Sequence, residues 1–403
     1  MVQLATFQLA NWIEGNKDSA QYVLGGSAAP SISLDDLVSL SRDSAATEEA
    51  LKFRSMKLNL GTPEGALELR RQIANLYSED VLPENVITAP GTTGANLTVF
   101  QSLLQAGDHV ICQYPTYPQL LALPESFPCE MSYLNLDPGN GWQPSVEELR
   151  GLIKPSTKMI VLNNPSNPTG SHLDGALQKK ILDVAREHNI IVFADEIFRP
   201  LYHVPSAAST PSLVEHGYSK VIVTSSMSKV WGMSGVRIGW IVSRDRDILD
   251  LLLNTRQYTV MSTGLIDEVV ATETLSDRCR PLILKRHLEY AQENLAVLDA
   301  FIKKNSDMCS WIRPTAGAIA FVKFSSPNGE VMDEVEFCQQ LLKEKRVLIS
   351  PGSLCFSTER QRDFRGYVRI HFTLMPEYLS KALEMVDAFL ADRRRVLGAT
   401  PRL

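Results

Sequence analysis

The sequence predicts an α/β fold, a mostly parallel sheet flanked by helices, followed by a smaller α+β domain. Three observations carry this expectation. Short uninterrupted apolar runs recur at HVICQYP near residue 109, KMIVLNNP near 158, NIIVFADEI near 189, KVIVTSSMS near 220 and VRIGWIV near 236. Such runs, apolar at every position, suit strands covered on both faces. Between them lie longer amphipathic stretches, for example GALQKKILDVAREHN from Gly175, and strands alternating with helices build parallel sheets. After the long helical pattern from about Pro281 to Lys304, turn signals become denser in PTAGAIAFVKF and VLISPGS, and the chain closes on a helix after Pro376.

The chain has 403 residues, more than one hydrophobic core usually organises. The expected division is a loop-rich arm with part of the smaller domain at 1–50, a large domain at 51–285 and a small C-terminal domain at 286–403. The run GGSAAPS at Gly25–Ser31 is part of that arm.

Composition narrows the function classes. Hydrophobic residues make up 44% and charged residues 21%, which suits a packed globular protein. Forty basic against 46 acidic residues leave a net charge of −6, which argues against nucleic acid or an anionic membrane as the main partner and for a small molecule. The run MVQLATFQLANWIEG lacks a basic start and a small-residue cleavage site, and no run of apolar residues is long enough for a membrane span. Cys112, Cys129, Cys279, Cys309, Cys338 and Cys355 are scattered without CxxC pairs, so they read as buried thiols in a reducing compartment, with no metal site expected. The expected address is the cytosol.

The chemistry concentrates in SSMSKVWGMSGVRIGW, from Ser225 to Trp240, directly after a predicted strand. Alone, Lys229 would be one surface lysine among many. Beside it, however, Arg237 stands between Gly235 and Gly239, small residues that let backbone approach a bound group. Arginine brings a permanent charge and planar donors suited to phosphate, and Ser226 adds a hydroxyl. A second anion-binding element is ITAPGTTGANLTVFQSLLQA, in which Gly91, Thr92 and Thr93 pass from strand to helix. Free N–H groups and the helix dipole converge there. NNPSNPTG at Asn163–Gly170 ends another strand at the ligand-binding edge, with Asn167 offering an amide donor. The next strand ends in Asp195-Glu196, and a carboxylate at the inner end of a strand needs a cationic partner such as a protonated pyridine.

In this order NPSNPTG, ADEIF, SMSK and GVRIGW resemble the class-I/II aminotransferases of the fold-type-I pyridoxal-phosphate enzymes, over nearly the whole chain. The resemblance implies pyridoxal 5'-phosphate as cofactor, held by Lys229 as a Schiff base, with the same lysine moving the substrate's alpha proton. It implies that Asp195 pairs with the ring nitrogen, Asn167 bonds the ring's phenolic oxygen and faces the substrate, and Tyr117 in YPTYPQL stacks on the ring. Gly91, Thr92, Thr93, Ser226 and Arg237 would surround the phosphate. Arg369 in GYVRIHFT would grip the substrate carboxylate, and Gly26 in GGSAAP would lie in the substrate loop. The implied substrates are an amino acid and a 2-oxo acid, and the implied assembly is a homodimer. Sequence position singles out no second carboxylate-binding arginine, so a dicarboxylic substrate is neither supported nor excluded.

Two positions depart from the pattern. Phe198 stands where the family usually has a tyrosine that donates to the phenolic oxygen. Leu60 replaces a tyrosine that in the family reaches the neighbouring subunit's cofactor phosphate. These changes raise an alternative on the same fold and cofactor, namely a cyclase, lyase or oxidase of specialised metabolism, as in capreomycidine-synthase-like relatives. A ligand sensor without catalysis would need a basic DNA-binding extension, which the sequence lacks, and would tolerate loss of the lysine and aspartate, which are kept. With one donor to the ionised phenolic oxygen missing, the cofactor linkage should hold its proton to higher pH. A pH titration of the visible spectrum of the loaded protein is expected to give a raised midpoint, and an ordinary or lowered one would contradict the assignment at Phe198.

Overall fold

The computed structural model describes residues 3–207, 210–358 and 364–398. Its strands in chain order are β1 (Tyr22–Val23), β2 (Val86–Ala89), β3 (His109–Tyr114), β4 (Glu130–Asp137), β5 (Gln143–Pro144), β6 (Thr157–Asn163), β7 (Ile191–Asp195), β8 (Val221–Ser226), β9 (Gly239–Ser243), β10 (Cys309–Trp311), β11 (Ile319–Phe324), β12 (Val347–Leu348), β13 (Ser350–Pro351) and β14 (Tyr367–His371). The large sheet has the order β2-β9-β8-β7-β6-β3-β4-β5. The neighbours β4/β3, β3/β6, β6/β7 and β7/β8 are parallel. A smaller antiparallel sheet, β10-β11-β14-β13, forms a second unit, and β1 pairs in parallel with β12.

The apolar runs behave as their patterning predicts. In the large sheet Ile111, Ile160, Val192 and Val223 pack into one core, while Val110, Val161, Phe193 and Ile222 pack into the core on the opposite face. Alternate residues of each strand are therefore buried on both sides, the condition that produces runs with no polar interruption. Helices cover those faces, including Gly91–Leu103 and Gly175–Glu187, the second capped by Asp174, whose carboxylate accepts from Leu177 N–H. A third core joins β11 and β14 to the helices Arg280–Lys304 and Pro376–Gly398 through Leu295, Leu298, Phe321, Ile370 and Val386.

The structure adds a strand direction to the expected mostly parallel sheet and corrects two other expectations. The VRIGWIV strand is β9, and it runs antiparallel to both β8 and β2. Its connection from β8 is a loop closed by Met227 N–H donating to Ile238 C=O at 2.9 Å, and a connection without a crossover helix returns the chain antiparallel. The first 50 residues are less loop-rich than expected, because they contain the helices Gln8–Asn16, Leu34–Ser39 and Ser44–Ala50. Ser33 and Asp43 cap the latter two by accepting from Asp36 N–H and Ala46 N–H. Five cysteines are buried as free thiols, but Cys129 is only half-buried. No helix among the described residues is long and apolar enough to cross a membrane.

The two sheets meet at Gly170. Its C=O accepts from Thr315 N–H at 2.9 Å and Ala316 N–H at 3.0 Å, its φ is +70°, and an added Cβ would lie 2.5 Å from Ile319 C=O. Gly170→Ala is expected to destabilise the fold by about 2 kcal/mol through strain and overpacking. A urea midpoint checks this, with Gly151→Ala as control, since a Cβ there meets nothing within 4 Å. Equal midpoints for the two variants would contradict the account.

Candidate active site

The carboxyl ends of β6, β7 and β8 point at one cavity of about 350 Å³, lined by Thr92, Thr93, Tyr117, Asn163, Asn167, Asp195, Phe198, Ser226, Lys229, Arg237 and Arg369 among others. A crevice at the carboxyl edge of an α/β sheet is where such folds bind ligands. Gly26 and Ser27 line it too, brought in because Ala29 N–H donates to Lys229 C=O at 2.9 Å and Ile32 N–H to Gly232 C=O at 3.1 Å. Of the residues given a cofactor or substrate role from the sequence, all line this cavity except Gly91, which lies behind Arg237; Leu60, Glu196, Gly235 and Gly239 lie outside its lining. Leu60 is 70% exposed and outside the cavity wall of its own chain.

Lys229 follows β8 in a loop, and burial pushes its amine down to about 8, helped by the positive charges of Arg369 and Arg237 and opposed by Asp195. Asp195 ends β7. Burial pushes its carboxyl up to about 6, against the pull of two donors, Asn96 Nδ2 at 3.0 Å and Ile197 N–H at 3.0 Å. Asn96 is itself fixed, since its Oδ1 accepts from Thr224 Oγ1 at 2.7 Å. Sequence reasoning passed over Asn96, although it lies one turn into the helix that begins at Gly91, on the face turned toward the sheet.

The phosphate elements converge. Gly91 starts the Gly91–Leu103 helix with φ +71°, and a Cβ there would collide with the guanidinium of Arg237, while a Cβ on Gly239 would collide with the Gly91 backbone. Both positions therefore require glycine. Arg237 Nη1 donates to Ser234 C=O at 2.8 Å and to Ser228 Oγ at 3.4 Å. Thr92 Oγ1 is buried and has no hydrogen-bond partner. A buried unpaired hydroxyl beside an arginine and a helix N-terminus fits an anion with several acceptor oxygens.

Arg369 on β14 is buried, and burial lowers it to about 10, so it stays charged at neutral pH. Its Nη1 donates to Asn167 Oδ1 at 3.1 Å and its Nη2 to Gly25 C=O, while its Nε is unpartnered. Asn167 N–H in turn donates to Asn163 Oδ1 at 2.8 Å. His371 was also missed from sequence. It lies two residues beyond Arg369 on the same strand face, with Nδ1 3.4 Å from where a Gly26 Cβ would be. Burial, then Lys229 and Arg369, push it down to about 3, so it adds no charge. Tyr117 is raised by burial and packs against Phe7, with ring centroids 5.6 Å apart. Phe198 is buried with Ile197, Ala318 and Ile319, an apolar environment with no hydroxyl at the position of the usual tyrosine.

The fold agrees with known proteins. Residues 38–386 match the family model described as aminotransferase class I and II. A PLP-dependent aminotransferase from Streptococcus suis 89-1591 superimposes with a TM-score of 0.88 at 35% identity, covering 97% of this chain and 99% of that one. The aspartate aminotransferase of Thermotoga maritima is 25% identical over 362 residues, 86% of this chain and 87% of that protein. Capreomycidine synthase of Streptomyces vinaceus is 27% identical over 278 residues, 69% of each. The chain belongs to the aminotransferase class I and II family and is a pyridoxal-phosphate-dependent enzyme.

Proposed function

We propose that this enzyme moves an amino group between an amino acid and a 2-oxo acid, with Lys229 Nζ as the point of cofactor attachment and the carrier of the substrate's alpha proton. The observation that supports this most directly is the juxtaposition of a half-buried lysine shifted to about 8 with a buried aspartate held by Asn96, in one cavity with a buried arginine. When bound, pyridoxal phosphate supplies an electron sink for the pair left when the alpha proton departs. The residues do the rest. Arg237, Thr92, Ser226 and the N–H groups of the Gly91–Leu103 helix would hold the phosphate. Asp195 would keep a proton on the ring nitrogen, Tyr117 would cover one ring face, and Asn167 would donate to the phenolic oxygen. Arg369 would bind the substrate carboxylate and so orient the bond to the alpha proton toward Lys229.

A homodimer is part of the proposal. Leu58, Leu60 and Leu67 on one segment and Tyr258, Val260, Met261 and Ile266 on another are exposed, and the segments adjoin where Gly61 faces Ser262 and Leu265. Adjoining exposed apolar side chains of this kind mark a protein–protein surface. Free cysteines support a reducing compartment, the cytosol in our reading. The division into 1–50, 51–285 and 286–403 is retained as a proposal.

Mixing loaded enzyme with single amino acids in the absence of any oxo acid tests the reaction. One equivalent of 2-oxo acid released per site, and reversal by added 2-oxo acid, is expected. Many turnovers without a second substrate would favour cyclisation, elimination or oxidation instead. Lys229→Ala should lower kcat by at least 10²–10⁴-fold, the usual loss on removing a general acid–base. Asn96→Ala removes one hydrogen bond to Asp195 and should lower kcat about tenfold, while recovery in Asn96→Gln, which keeps an amide donor, would mark a positioning role. Attachment of pyridoxal phosphate to the apo-protein requires the neutral amine. Its rate should therefore rise with pH through about 8 rather than continue to the value of an ordinary lysine, and stopped-flow absorbance checks this.

A further inference from the structure

Gln119 opens the helix Gln119–Ser126, two residues after Tyr117, and is buried. Its Nε2 donates to Thr93 C=O at 2.9 Å, and its Oε1 accepts from Asn96 Nδ2 at 3.2 Å. We propose that Gln119 is a positioning residue for the ring-nitrogen end of the cofactor: anchored on the Thr93 carbonyl, it turns the Asn96 amide so that N–H, and not C=O, faces Asp195. The inference rests on the reading that Asp195 partners the ring nitrogen.

The direction of this chain of hydrogen bonds is set at one atom. A main-chain carbonyl only accepts, so the Thr93 oxygen faces the NH2 of Gln119 and not its oxygen. That leaves Gln119 Oε1 turned toward Asn96, where it requires a donor. Asn96 Nδ2 carries two hydrogens, and they go to Gln119 Oε1 and, at 3.0 Å, to Asp195 Oδ2. A reversed Asn96 amide would set its oxygen against Gln119 Oε1, two acceptors with no proton between them. Thr224 Oγ1, 2.7 Å from Asn96 Oδ1, is a hydroxyl that can donate or accept, so it tolerates either orientation. The choice is therefore made at Thr93 and carried by Gln119.

The orientation matters because burial raises Asp195 to about 6, toward the range in which it would carry a proton itself. An asparagine free to turn could equally accept from a protonated Asp195 or donate to an ionised one. Gln119 removes that freedom, so hydrogen bonding favours the ionised carboxylate, the form able to pair with a protonated ring nitrogen. The polar atoms of the relay are all used: Asn96 and Thr224 are wholly buried, and their amide and hydroxyl are bonded within it. It also spans the cradle, since Thr93 lies beside the proposed phosphate site and Asp195 at the end of β7.

The test measures, by equilibrium dialysis of the apo-protein, its affinity for pyridoxal phosphate and for the analogue that has carbon in place of the ring nitrogen. The wild-type protein should prefer pyridoxal phosphate by about tenfold or more, because the analogue cannot form the charge-assisted bond to Asp195. In Gln119→Met, which keeps the shape without the amide, that preference should fall about fivefold, the usual contribution of one hydrogen bond, with the loss on the pyridoxal phosphate side. Gln119→Met added to Asn96→Ala should cause no further fall, since both act on Asp195 through one bond. Gln119→Asn, whose amide is one carbon too short to span Thr93 and Asn96, serves if Gln119→Met fails to fold. An unchanged preference in a folded variant, whether from no loss or from equal loss for both ligands, or additive losses in the double variant, would overturn the proposal and leave the Asp195 reading standing. No preference in the wild-type protein would sink that reading, and the proposal with it.

Discussion

The structure is organised around a concentration of positive charge at the carboxyl edge of the large sheet. Lys229, Arg237 and Arg369 share a cavity with a single buried carboxylate that opposes them, Asp195. Burial of ions is costly unless each finds a partner. The protein supplies part of the compensation itself, through Asn96 and Ile197 N–H at Asp195 and through Asn167 and the Gly25 carbonyl at Arg369. The remainder is an excess of positive charge beside an unpaired threonine hydroxyl, a setting suited to anionic ligands. Burial first, and then the positive charges of Arg369 and Arg237, moves the lysine toward its neutral form, which prepares the amine for chemistry.

Remote segments are bound together by this requirement. The stretch from Leu24 to Ile32 threads between the two halves: Leu24 C=O accepts from His371 N–H, Gly25 C=O accepts from Arg369, and Ala29 N–H donates to Lys229 C=O. The arm thus couples the strand that carries Arg369 to the loop that carries Lys229. Gly91 and Gly239 perform a similar function on the phosphate side, where their missing side chains let two backbone segments and the Arg237 guanidinium occupy the same small volume. Preorganisation of this kind is what lets a few side chains act together.

Much of this was legible in sequence because the constraints are local. Apolar runs buried on both faces announce the strands, and the strand-to-helix turn announces itself through Gly91, Thr92 and Thr93. What was not legible depends on which residues meet in space. Asn96 and His371 sit inside recognisable segments, but their partners Asp195 and Gly26 are remote in sequence, and an asparagine in a helix or a histidine in a strand has no signature by itself. The direction of β9 was hidden for the same reason, since an apolar run is equally suited to either orientation and only the tight return through Met227 and Ile238 decides it. The helical arm was underestimated because Leu9 and Trp12 gain their stability from the small domain's core rather than from local propensity.

The central claim is that Lys229 is the lysine joined to the cofactor. Reducing the loaded enzyme with borohydride, which fixes the linkage irreversibly, and mapping the modified peptide by mass spectrometry tests it most directly. The account predicts one pyridoxyl group per chain, on Lys229. A label on any other lysine, or labelling that persists undiminished in Lys229→Ala, would contradict it.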